Sequence, residues 1–201
     1  ITPVGPYASE LAARLKPPSW TAGGSPAHLL GTDHLGRDVL ARILYGARVS
    51  LFAATCAIVI SCLIGVTLGV LAGYIGRMVD QVISTVVNIM LTFPFMLLSL
   101  AVIALLGPSF RNMVLVLGIT EWIHYTRVVR SEVFRLREQD FVLVAKSIGL
   151  SSGTIILRHL VPNLLNTIIV IASLQMARMI ILESFLSFLG LGIQPPTPSW
   201  G

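Results

Sequence analysis

The chain has 201 residues, of which 55% are hydrophobic and only 11% charged, with a mean hydropathy of +0.85. That balance excludes an ordinary soluble domain and identifies a membrane protein. The formal net charge of +5 does not indicate nucleic-acid binding, because the basic residues lie among apolar runs, where they mark topology, and no soluble module interleaves them with aromatics. Cys56 and Cys62 both fall within one apolar run. They are too few for a disulfide framework or a four-ligand metal site, so packing is their expected role.

Residues 1–30 contain Pro3, Pro6, Pro17, Pro18 and Pro26 with Gly5, Gly23 and Gly24. No long regular element can run through them, and an extended, water-exposed segment is expected. From Leu30 the sequence reads LGTDHLGRDVLARILYGARVSL. Val39, Leu40, Ile43 and Leu44 make a narrow apolar stripe with Arg37, Asp38 and Arg42 off it, the pattern of an interfacial helix leading into a span. His34, beside Asp33 and near Asp38, has two readings: a metal site, or a turn and helix cap. The first span is expected at about 49–73, longer than the ~20 residues that cross a bilayer. Ala57, Ser61, Gly65, Gly69 and Gly73 recur every fourth residue. Small residues at that spacing let a second helix approach closely, so this face is expected inside a bundle.

The second span is expected at about 82–106, after a short loop with Arg77 and Asp80. Pro94 lies in its middle and should kink it. Asn88, Thr92 and Ser99 either line a path or bond neighbouring helices. A third span follows at about 113–129, with Glu121 and His124 one helical turn apart near its boundary. Ionisable residues there carry a functional hypothesis, an acid–base or proton-coupling pair, against the alternative of an interfacial hydrogen-bonded pair. The fourth span is expected at about 162–186. Gln175, Arg178 and Glu183 interrupt it, so part of this helix faces protein or water, and Arg178 is expected to pair with an acid elsewhere. Asn88, Thr92, Gln175 and Arg178 are the candidates for a translocation path.

Between the last two spans, QDFVLVAKSIGLSSGTIILRHLVPN, residues 139–163, is a polar, cationic island. Phe141, Val144, Ala145 and Ile148 share one helical face, leaving Lys146 and Ser147 off it. Gly149 supplies a helix stop, since a residue without Cβ enters the left-handed region freely. Ser151 or Ser152 can cap a second short helix with Ile155, Ile156 and Leu160 on one face. Pro162 then fits the first turn of the next long helix, where a missing N–H matters little. Two short helices hinged at a glycine, lying across the end of a membrane bundle, suit docking onto a partner.

This island resembles the cytoplasmic loop of the membrane subunits of ATP-binding-cassette importers, E-A-A-x-x-x-G, then nine residues, then I-x-L-P. Ala145, Gly149 and Pro162 stand at matching positions, whereas Leu143, Val144, His159 and Val161 depart from the pattern. The run from Arg158 to Asn163 is similar to the RHxLPN form of the oligopeptide, dipeptide and nickel branch. The stretch from Leu30, the W-x-x-Y-x-R-x-x-R run from Trp122 and the closing ESFLSFLGLGIQPPTPSWG resemble the same branch. Together they cover about Leu30 to Gly201.

The resemblance implies an all-α, type I ABC-importer transmembrane domain with four spans in this stretch and a further membrane helix on either side of it. Residues 1–46 would form an extracytoplasmic segment with an interfacial helix, 47–190 the permease domain and 191–201 an extracytoplasmic loop. The coupling loop, about 130–161, would be cytoplasmic, with Phe141, Val144, Ala145, Lys146, Ile148, Gly149, Arg158 and Pro162 contacting the ATPase. Charge alone decides topology weakly, although the densest basic cluster lies on the coupling-loop side. The implied setting is the bacterial inner membrane. The implied partners are a second permease, two cytoplasmic ATPases that hold ATP and magnesium, an external solute-binding protein and the lipid bilayer, with short peptides or nickel as cargo. The chain itself carries no P-loop pattern, and no cofactor, metal ligand set or catalytic constellation is expected of it. A passive channel and an intramembrane enzyme built on Glu121 and His124 are the rival readings, and neither accounts for the hinged loop.

Overall fold

In the computed structural model, which describes residues 5–201, the long first helix begins at Asp38. Its carboxylate accepts a hydrogen bond from the Ala41 N–H at 2.7 Å, while His28 Nδ1 lies 2.9 Å from its other oxygen. An N-cap acid satisfies one of the donors that a helix start leaves unpaired. Asp33 is equally engaged, accepting from the backbone of Leu35 and Arg37 and from the Arg37 side chain. Burial pushes the Asp33 carboxyl up, but these hydrogen bonds and the Arg37 charge outweigh it and hold the group below the usual carboxylate range. His34 is exposed, and both neighbouring carboxylates are committed, so the turn-and-cap reading replaces the metal one. The described part of the segment before α1 is a series of tight turns with one 3₁₀ turn, Leu11–Ala13, rather than the extended segment expected. Its first expected residues, 1–4 with Pro3, lie outside the described part.

Helix α1, Val39–Ile75, is continuous over 37 residues. At 1.5 Å per residue it is about 55 Å long, nearly twice a bilayer's hydrocarbon core, so the interfacial helix and first span are one rod. Gly76, at φ +70°, ends it. Helix α2, Arg77–Thr92, and helix α3, Phe95–Leu106, meet at Phe93-Pro94 with a bend of 86°. The expected kink at Pro94 is therefore a full break. Helices α4, Phe110–Thr120, and α5, Trp122–Leu136, divide the expected third span at Glu121. Two helical rods are long and apolar enough to cross a membrane, Val39–Ile75 and Ser152–Phe188, with a third if the bent pair counts as one span. Of the four expected spans, 49–73 lies within α1 and 162–186 within the second rod, while 82–106 falls on the bent α2–α3 pair and 113–129 is divided at Glu121.

The small-residue stripe of α1 is the axis of the bundle. A Cβ added at Gly65 would fall 2.5 Å from Tyr125 Cβ and from the Trp122 carbonyl oxygen; at Gly69 it would fall 2.8 Å from Val129 Cβ, and at Gly73 2.7 Å from Val133 Cβ. The partners advance along α5 in the same steps of four, so the two helices interlock with their backbones in close approach. Thr126 Oγ1 donates to the Gly65 carbonyl at 3.1 Å across that seam. Ser61, also buried, donates to its own helix at the Ile58 carbonyl. Cys56 and Cys62 pack, half-buried, against the core around Ile58, Met113 and Leu117. The closing loop returns to this rod, where Trp200 donates from its backbone to Ser50 Oγ and from its indole to the Ile43 carbonyl.

Candidate functional site

Two features stand out as sites: a short helix left open at one end of the bundle and a polar cluster inside it. The short helix is α6, Asp140–Ser147, with Asp140 in its first turn and Lys146 in its last, complementing the helix dipole. Val142 and Ala145 are buried against Val133, Leu136, Ile155 and Leu160. Phe141, Val144 and Ile148 are 39%, 57% and 69% exposed, and Leu143 is exposed beside them. The face read from the sequence is therefore split, with Ala145 inside the chain's own core and the other three left open. Lys146 extends its ammonium to 5.4 Å from the Tyr74 ring on α1, a cation–π contact that ties the stub to the rod.

Gly149 closes α6 at φ +82°. Its N–H donates to the Lys146 carbonyl at 3.0 Å, and the Leu150 N–H reaches back to Ala145 at 3.1 Å. This pair of bonds is the Schellman ending, which a residue without Cβ adopts freely. Ser151 is the cap of the next turn, accepting from the Thr154 N–H. That next element is not a separate short helix. Helix α7, Ser152–Ile155, runs through a π turn at Ile156–Leu160 into α8, Val161–Phe188, as one 37-residue rod. The Val161 N–H bonds to the Ile156 carbonyl, five residues back, so the helix widens by one residue just before Pro162, whose ring would otherwise crowd the preceding turn. Arg158 is exposed on this π turn. Ile155 and Leu160 are buried and Ile156 partly so, as their shared face requires.

The polar cluster is centred on Glu121, 2% exposed at the α4–α5 break. Arg178 of α8 approaches it through Nε at 2.9 Å and Nη2 at 3.4 Å. Gln175 Nε2 is 3.4 Å away and His124 Nε2 3.6 Å. A buried charge needs a partner and hydrogen bonds, and Arg178 with Gln175 supplies both. The residues read as two separate sets, Glu121 with His124 and Gln175 with Arg178, are thus one cluster. Two clefts adjoin it: about 180 Å³ in the α2–α3 elbow beside Glu121, His124 and Arg178, and about 500 Å³ between α5 and α8 beside His124, Arg127 and Gln175. A third, about 370 Å³ between α2 and α5, is lined by Asn88 and Arg127 and by no member of the cluster. Thr92 is not brought to the cluster; it is exposed and its hydroxyl donates to the Ile89 carbonyl.

Residues 65–201 match the family described as binding-protein-dependent transport system inner membrane component. The chain belongs to this family. It is 44% identical over its full length to a dipeptide transport system permease protein of Escherichia coli K12, covering 67% of that protein, and 44% identical over 94% of its length to one of Alkalihalophilus pseudofirmus, covering 62%. The chain thus spans about two thirds of the length of these relatives. In fold it is similar to a chain of the inward-facing MetNI methionine ABC transporter, with a TM-score of 0.66, 16% identity and 77% of each chain covered.

Three further charged residues, not among the candidate site residues of the sequence reading, stand near this region. Arg127 lines two of the clefts, and Asp80 of α2 pairs with Arg130 of α5, Nη2 to Oδ2 at 2.7 Å. Sequence carries a signal for each: Arg127 and Arg130 are the two arginines of the W-x-x-Y-x-R-x-x-R run, and Asp80 is the acid of the short stretch that leads into the second expected span.

Proposed function

We propose that the chain is the core of a permease subunit of a bacterial ATP-driven importer of short peptides, forming half of the translocation pathway. The dipeptide assignments of its relatives support peptides over nickel as cargo. ATP and magnesium belong to two separate ATPase chains, and a second permease and an external binding protein complete the assembly. In this reading the protein lies in the inner membrane with α6 in the cytoplasm and residues 1 to about 48 outside, and Asn88, Gln175 and Arg178 line the path.

The observation that carries this reading is α6. Its outer face presents Phe141, Val144 and Ile148, while Val142 and Ala145 fasten its inner face to α5, α7 and the π turn. An apolar patch of this kind on a rigid stub suits insertion into a groove of a partner that moves. Because the turn after Gly149 continues without interruption into α8, displacement of the stub is transmitted along a rod that reaches Gln175 and Arg178. ATP-driven closure of the ATPase pair would in this way alternate access to the clefts around Glu121. Val144→Asp and Ile148→Asp alter only exposed side chains. Both are expected to abolish co-purification of the ATPase and peptide-stimulated ATP hydrolysis while the subunit still inserts; retention of a stoichiometric ATPase by both variants would contradict the reading.

The acid–base enzyme reading loses its footing, because Glu121 is committed to Arg178 and Gln175. Among the described residues its ion-pair and hydrogen-bond partners are Arg178, Gln175 and His124, none of them a hydroxyl or thiol nucleophile.

A further inference from the structure

We propose that Arg178 is a carboxylate-binding residue on the path and that Glu121 is the positioning residue that aims it; this rests on the importer reading above. The ion pair is strongly asymmetric. Glu121 has 2% of its side chain exposed and Arg178 45%, so of the two charged groups that line the elbow the cation is by far the more accessible to a ligand. The bonds to Glu121 use Nε and Nη2, and among the described residues the Nη1 hydrogens are uncommitted. A guanidinium fork fixed on one edge by a buried carboxylate presents its other edge in a defined plane, the geometry that recognises a second carboxylate.

The surroundings favour the same ligand. His124 and Arg127 bring further N–H donors to the adjoining cleft, where Glu132 is the acid, held by Arg135. The elbow, at about 180 Å³, is roomy enough for the C-terminal residue of a short peptide. Glu121 compensates the Arg178 charge whenever the elbow is empty, so passage of a carboxylate never strands a lone cation in the membrane. Short peptides with a free C-terminus are thus the ligand class the pair suits.

The test uses the full transporter in proteoliposomes with a saturating amount of loaded binding protein. Uptake of one dipeptide is compared with uptake of its C-terminal amide. The binding protein is the same in every assay, so its own preference cancels when variants are compared. Wild type is expected to favour the free acid, and Arg178→Gln to lower the acid-to-amide ratio about tenfold, the scale of one charge-assisted hydrogen bond. Arg178→Lys, which keeps the charge but not the fork, is expected to lower the ratio less and guards against a failure of the glutamine variant to assemble. Glu121→Gln should also lower the ratio, because the donor is then present but unheld. A ratio unchanged in all three variants, even with both rates reduced, would reveal a structural strut and overturn the inference. Absence of any peptide uptake by wild type would instead contradict the importer reading itself.

Discussion

At Gly149 two properties of a glycine separate cleanly. Its φ of +82° lies in the left-handed region, yet a Cβ built there meets nothing within 4 Å. A substitution is therefore strained by the backbone and not by neighbours. Gly149→Asn, which tolerates that region, is expected to preserve transport. Gly149→Val, whose branched side chain does not, should unwind the Schellman ending at a penalty of about 1–2 kcal/mol or more and uncouple ATP hydrolysis from uptake. The measurement is the ratio of peptide taken up to ATP hydrolysed, and an unchanged ratio in the valine variant would contradict the role given to the hinge. Asp33 gives a second test. Its folded carboxyl is held below its unfolded value, so its contribution to stability is fully present above the unfolded value near pH 4 and is lost as pH falls through the depressed folded value. Hydrogen exchange at Leu35 and Arg37, corrected for intrinsic rates, should accelerate over that window, and Asp33→Asn should remove the dependence.

Among the elements, the α1–α5 seam has least room. Gly69→Val adds a branched side chain where a Cβ alone would fall 2.8 Å from Val129 Cβ. It is expected to destabilise the subunit by about 1–3 kcal/mol, whereas Gly153→Ala, with open space around it, should be neutral. Thermal unfolding of the detergent-solubilised complex distinguishes them. This seam was legible in the sequence because a period of four small residues has one physical use in a membrane helix. The stop at Gly149 and the bend at Pro94 were legible for the same kind of reason, since each residue's backbone restriction acts locally. The break at Glu121 was not. No glycine or proline marks it, and it becomes intelligible only once Arg178, 57 residues later, is seen to hold the carboxylate. The fusion of α7 to α8 was missed because Pro162 signals a helix start, while a π turn that absorbs its ring leaves no compositional mark. Ala145 shares the apolar face yet is buried by the chain itself, because periodicity identifies an apolar face without saying whether the chain or a partner covers it.

For the molecule as a whole, α1 is the mast on which α5 is clasped, and the rod from Ser152 to Phe188 links the open stub to the buried ion pair. In the function proposed above, this rod joins an ATPase-docking surface to a peptide path. The most direct test is purification of the full-length subunit from its membrane under mild extraction, alongside the Val144→Asp, Ile148→Asp double variant, with stoichiometry of the ATPase and peptide-stimulated ATP hydrolysis measured in both. A stoichiometric ATPase and stimulated hydrolysis are expected for the wild type, and loss of both in the variant with its thermal stability intact. An ATPase still bound and stimulated in the variant, or absent from the wild type, would contradict it.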